Sequence, residues 1–120
     1  MLHGDVPVRL HTGEEVEVKY LKVGDRLNTA DGASVTLTAI VKESRDYAVF
    51  ATAPGFALKA YPNTEVYKGG AWVKLAKLGT VLPKERCDVV YSLHADWAPF
   101  LRIPGIECGG LFVKLTKHYC

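Results

Sequence analysis

The sequence predicts an all-β domain, and three observations carry that prediction. Short runs in which apolar and polar residues alternate recur along the chain, rich in Val, Thr, Ile and Tyr. Turn chemistry separates them at Thr12-Gly13, Asp31-Gly32 and Gly69-Gly70. No stretch carries a helical stripe of useful length. Many short strands joined by close turns point to a barrel, a sandwich or a folded ribbon.

Taken in order, VPVRL at 6–10 and EVEV at 15–18 flank the Thr12-Gly13 turn as the arms of a first hairpin. The second arm runs on through Leu21 and Val23 to Gly24-Asp25, where glycine opens a backbone conformation closed to other residues. TADG at 29–32 is the next tight turn, and SVTLTAIV at 34–41 follows as a long strand. YAVFAT at 47–52 and CDVVYSL at 87–93 have the same alternation. AWVKLAKLG at 71–79, with apolar residues at 72, 73, 75 and 78, fits either one short helical turn or another strand. No repeat, low-complexity linker or internal boundary interrupts residues 1–120, so they read as one domain.

A hydrophobic content of 48% supplies one ordinary core without staples. The formal charge of +2, with no basic stripe interleaved with aromatics, argues against nucleic acid as a partner. Three cysteines, Cys87, Cys108 and Cys120, form no CxxC pair, and an odd number leaves one thiol unpaired. That favours a reducing, cytoplasmic setting over a secreted one. His118 and Cys120 lack two further ligands at metal-binding spacing, so no metal or other cofactor is expected. Asp5 and Arg9 fall where a signal peptide needs an apolar run, and nothing approaches the roughly 20 apolar residues of a membrane span. A soluble domain without a membrane partner is the expectation.

Three blocks resemble a known family. HGDVPVRLHTGEEVEVKYLKVGDRLNTADG at 3–32 is similar to the opening of the Hint superfamily, which inteins share with the Hedgehog autoprocessing domain. YPNTEVYKGGAWVKLAKL at 61–78 resembles its second block, T-P-x-H-P-V followed by a glycine turn, a tryptophan and A-x-x-L. VVYSLHADWAPFLRIPGIEC at 89–108 is similar to its last blocks, and the G-I-E-C ending resembles the Vint subgroup found with von Willebrand type A modules. The resemblance covers nearly the whole chain in the right order. It implies a Hint-like fold of bent β-ribbons with both chain ends near one cleft.

The resemblance also implies a chemistry. In that family a cysteine or serine at the first position attacks the carbonyl just before it, converting a peptide bond into a thioester or ester. A second-block histidine assists the departing nitrogen, since an amine leaves poorly unless protonated and an imidazole titrates near neutrality. A thiol is a stronger nucleophile than water at neutral pH. The substrate would be the domain's own flanking polypeptide.

Each matched chemical position is substituted here. The nucleophile position falls on Met1, a thioether with no proton to lose; the second-block threonine falls on Tyr61 and its histidine on Thr64. The acidic or polar position of the V-Y-D/N-L block falls on Ser92, and the His-Asn pair that ends an intein falls near Gly109-Gly110. Met1 reads either as the native residue or as an initiator standing where a cysteine was replaced. A chain beginning at Met1 presents no upstream bond, so the first step is expected to be absent in this form.

Thr64 reads first as an ordinary strand residue, because a hydroxyl without an adjacent base neither titrates near pH 7 nor protonates an amine. Tyr61 reads as a buried aromatic with a tethered hydroxyl. Cys108, near the last block, reads as a buried structural thiol first and a reactive one second. His3, His11 and His94 read as turn or loop residues. The HYC at 118–120 imitates a splice junction only superficially, since Tyr119 has no side-chain amide to cyclise. Two competing readings stand beside inactive autoprocessing: a non-catalytic interaction or structural module that keeps the Hint fold, with a protein partner, and an unrelated β-barrel. The barrel predicts no shared cleft among Met1, Thr64 and Cys108.

Overall fold

The longest alternating run forms the spine of the computed structural model, which describes residues 1–96 and 105–117. β5 (Ser34–Ser44) spans 11 residues and lies antiparallel along β13 (Val89–Asp96), with an irregularity between His94 and Ala95. β4 (Arg26–Asn28) covers the outer edge of β5. The other edge of β13 is shared by β1 (Leu2–His3), antiparallel, and β16 (Thr116–Lys117), parallel. β8 (Lys59–Ala60), β7 (Ala51–Thr52) and β11 (Thr80–Val81) extend the sheet beyond β1 to eight strands.

A six-stranded sheet runs in the order β10 (Ala71–Lys74), β9 (Glu65–Lys68), β15 (Leu111–Lys114), β14 (Gly105–Cys108), β2 (Pro7–Arg9) and β3 (Glu15–Glu17). A short ribbon pairs β6 (Tyr47–Ala48) with β12 (Glu85–Arg86). Both large sheets feed one core: Leu2, Leu37 and Ala60 from the first meet Val8, Val66 and Ile106 from the second. The polar residues of each run face away from it, as period two requires.

Local chemistry explains where the runs stop. Val18 leaves the EVEV strand and is buried in a 3-10 turn over Val18–Tyr20, so the strand ends one residue earlier than its alternation suggests. YAVFAT breaks into β6 and β7 because Phe50 turns inward and is fully buried. AWVKLAKLG takes both forms open to it, β10 and then the single helical turn α1 (Leu75–Leu78). Two glycine pairs close two-residue hairpins: Gly69-Gly70 between β9 and β10, and Gly109-Gly110 between β14 and β15. All four have positive φ, the conformation that such turns demand. Among the described residues no helix is long and apolar enough to cross a membrane.

Candidate functional site

Because Leu2 points into the core, its neighbours Met1 and His3 project from the opposite face of the sheet. There a second, smaller cluster forms from Ala48, Phe50, Cys87 and Val90, with Met1 and Tyr61 packed against it. Cross-strand register decides who meets residue 1. Leu2 pairs with Tyr91 on one side and Ala60 on the other, which brings Ser92 and Tyr61 level with Met1. The Tyr61 N–H donates to the Met1 carbonyl at 3.0 Å, and the Ser92 hydroxyl donates to the Met1 thioether sulfur.

Phe50 is the fully buried centre of this cluster. Its ring lies 5.3 Å from that of His3 and 5.9 Å from that of Tyr61, and the Lys59 ammonium sits 5.4 Å from its centroid. Lys59 is in turn paired with Glu85 at 2.7 Å. On the far side Arg45 is held protonated, its pKa raised first by the Tyr61 hydroxyl and then by Glu43. Loss of water pushes the amino group of Met1 below its usual range, with the Glu43 carboxylate opposing the shift. The nitrogen of residue 1 is thus partly withdrawn from water.

The segment from Tyr61 to Thr64 is a turn fastened at both ends. The Thr64 N–H donates to the Tyr61 carbonyl at 3.0 Å, Leu75 N–H donates to the Thr64 carbonyl at 2.8 Å, and Ala76 N–H donates to the Pro62 carbonyl at 3.0 Å. The Thr64 hydroxyl oxygen is buried and has no hydrogen-bond partner. A buried hydroxyl without a partner costs about 1–3 kcal/mol. The backbone of this turn is therefore well held, while the side chain at 64 uses none of its polar capacity.

Of the residues singled out in the sequence, the fold brings Met1, Tyr61 and Ser92 together, with Thr64 one hydrogen-bonded turn away. It does not bring Cys108 to them. Cys108 lies on β14 opposite Val8, fully buried in the main core, and burial drives its thiol far above the usual range. Gly109-Gly110 is an internal hairpin turn from which the chain continues into β15, between β14 and β9. His118 and Cys120 lie outside the described residues. Among the described residues no three His, Cys, Asp or Glu side chains gather as a metal site.

The last described strand shares an edge of β13 with β1. β16 pairs with β13 at His94 and Ala95, while β1 pairs at Val90 and Tyr91 on the same edge. β16 thus occupies the stretch of β13 along which an upstream continuation of β1 would run, so a polypeptide ahead of residue 1 must turn out of the sheet. Phe50, Arg45, Glu43 and Lys59 carry no motif that would single them out in the sequence. Period two gives each a face, but only register, which the sequence does not print, gives them a common one.

No family model and no curated protein matches the chain. Solved structures do. A DnaB intein from Synechocystis sp. PCC 6803 superposes with TM-score 0.66 at 13% identity, over 96% of this chain and 97% of that one. The Msm DnaB1 intein splicing domain, solved with zinc bound, gives 0.68 at 16% identity over 97% and 100%. A bacterial intein-like domain from Clostridium thermocellum gives 0.67 at 17% identity over 94% and 96%. Over almost its entire length, then, this chain has the Hint fold of inteins and bacterial intein-like domains.

Proposed function

We propose that this is a Hint-type autoprocessing domain that is catalytically inactive with methionine at residue 1. The single observation that carries the reading is the company residue 1 keeps: a thioether, hydrogen-bonded by Ser92 and packed with Tyr61 against the cluster around Phe50, on an intein-like fold. That is where a nucleophile on this fold would attack the preceding carbonyl. A thioether has no proton to lose and gives no thioester that can be hydrolysed. Position 64 presents a buried hydroxyl with no partner in place of a base.

The substrate of an active version would be its own upstream polypeptide. The G-I-E-C ending supports placement near the Vint subgroup. Splicing finds no support at Gly109-Gly110, which has no side-chain amide to cyclise and sits inside a hairpin. The second reading is a non-catalytic module that keeps the fold for a protein partner, and Phe56, Tyr20 and Tyr47, exposed on the surface, favour it to that extent.

The test is a reporter domain joined ahead of residue 1, incubated with a small thiol and followed by intact mass. With Met1 the fusion is expected to stay whole. With Met1→Cys and Thr64→His together, thiol-dependent release of the reporter is expected. Release from the Met1 fusion would refute the claim of inactivity, and a folded double variant that never releases would refute the autoprocessing assignment.

A further inference from the structure

We infer that the edge of β13 from Leu93 to Ala95 seats one flanking segment at a time, either β16 or the polypeptide ahead of residue 1, so that β16 is a built-in competitor for the upstream chain. The inference rests on the autoprocessing reading above for calling that chain the substrate; the competition itself is a matter of backbone geometry. β5 lines one edge of β13 throughout, which leaves β1 and β16 to share the other. β1 lies on it antiparallel, with His3 level with Val90 and Leu2 with Tyr91. β16 lies on it parallel, with Thr116 level with His94 and Lys117 with Ala95.

Register places what would come ahead of residue 1. Counting back from Leu2, Met1 is level with Ser92, the residue ahead of it with Leu93, and the two before that with His94 and Ala95. Backbone direction agrees. The Met1 carbonyl accepts from Tyr61 N–H, so residue 1 turns its polar groups toward β8. Successive strand residues turn theirs to opposite edges, so the residue ahead of Met1 presents its N–H and C=O to β13. The His94 carbonyl accepts from the Thr38 hydroxyl on β5, so Leu93 presents its own groups to the shared edge. The first upstream residue therefore pairs without conflict. The second and third meet Thr116 and Lys117, and two backbones cannot both lie about 4.8 Å from one stretch of one edge.

The two occupants are held in different ways. β16 has two cross-strand pairs and the anchor of Leu115, buried in the main core just before it. A strand held by so few pairs opens at low free energy. An upstream segment would extend β1, already fixed by β13, β8 and the Tyr61 bond, and needs no new loop to close. Because each excludes the other, their coupling is reciprocal. Seating the upstream chain lifts β16, and drawing the chain beyond Lys117 away from the sheet opens the seat. With β16 in place the bond ahead of residue 1 is the last rung before the chain leaves the ladder; with β16 lifted it lies inside a continuous one.

The experiment is hydrogen exchange read by mass on reporter fusions of the full chain with Met1 kept. One fusion carries Val-Thr-Val-Thr directly ahead of residue 1, and the other Gly-Pro-Gly-Pro, since proline cannot donate to a ladder. Protection of Val90 to Leu93 verifies the fold in each. With Gly-Pro ahead, Thr116 and Lys117 are expected to be protected. With Val-Thr ahead, that segment is expected to be protected and β16 to exchange at least about tenfold faster. Thr116→Pro with Lys117→Pro removes both N–H groups of β16 and is expected to leave the Val-Thr segment protected. Protection of that segment that appears only with those prolines would bear out the same exclusion, with β16 the stronger occupant. Val-Thr and β16 protected together in one fusion would overturn the inference. So would a Val-Thr segment that exchanges freely even beside the two prolines. No arm needs cleavage, so a Met1→Cys, Thr64→His fusion that never releases its reporter refutes the autoprocessing reading and leaves this result standing.

Discussion

Residue 1 and the Gly109-Gly110 turn, the two places that the family resemblance ties to chemistry, are built differently in this chain. Around residue 1 side chains and backbone converge: Tyr61 and Ser92 hold Met1, the Phe50 cluster packs against it, and the Thr64 turn is fastened at both ends. Around Gly109-Gly110 a two-residue hairpin carries the chain on into β15. The first region is held by packed side chains and the second by backbone conformation, so substitutions probe the one through volume and polarity and the other through φ.

The largest expected effect comes from removing the centre of the first region. Phe50→Ala empties a fully buried aromatic site and is expected to cost about 3–5 kcal/mol in denaturant unfolding. Loss below about 1 kcal/mol would mean that the cluster beside residue 1 is not a packed unit. The hairpin of the second region is nearly as exacting. A Cβ on Gly109 would meet Leu58 N at 2.4 Å at a φ of +62°, so Gly109→Ala is expected to cost about 3 kcal/mol. Gly69→Ala, at a φ of +61° with open space around it, isolates backbone strain alone and should cost about 1 kcal/mol. Equal penalties at the two glycines would remove the claim that the Gly109 turn is locked against the β7–β8 connection.

How much of this was legible beforehand follows from what period and register each determine. Alternation located β5 and β13, and the glycine pair at 69–70 marked its hairpin before any coordinates. The identical pair at 109–110 carries the same signal and closes the β14–β15 hairpin. Residues 61 and 64 were singled out by block order alone. Phe50 and Arg45 were not, because whether Phe50 faces the main core or the cluster beside residue 1 depends on where YAVFAT breaks, and that break is set by tertiary packing. Cys108 adjoins the last block in sequence but faces the main core from β14, a matter of one residue in register.

Two smaller effects sharpen the contrast. Burial raises the Cys108 thiol above its unfolded value, so the folded state keeps the proton that the unfolded state loses in alkali. Stability from this group is full below the ordinary thiol range and falls above it, by up to about 1.4 kcal/mol per pH unit. Melting curves on the alkaline side should show that decline, and Cys108→Ala should lack it. A parent without the decline would place the thiol in contact with water and return it to consideration as a reactive group. At the first region, Thr64→Val keeps the shape and removes a hydroxyl with no partner. It is expected to leave stability unchanged or raise it by up to about 1 kcal/mol. A clear loss would show that the hydroxyl has a bonding role.

The most direct measurement joins one reporter ahead of residue 1 and another after residue 120 in the Met1→Cys, Thr64→His chain, adds a small thiol, and reads every product by intact mass. Autoprocessing confined to residue 1 predicts release of the upstream reporter alone, with the downstream reporter still attached to the domain. Two reporters joined to each other, or release of the downstream one, would contradict it.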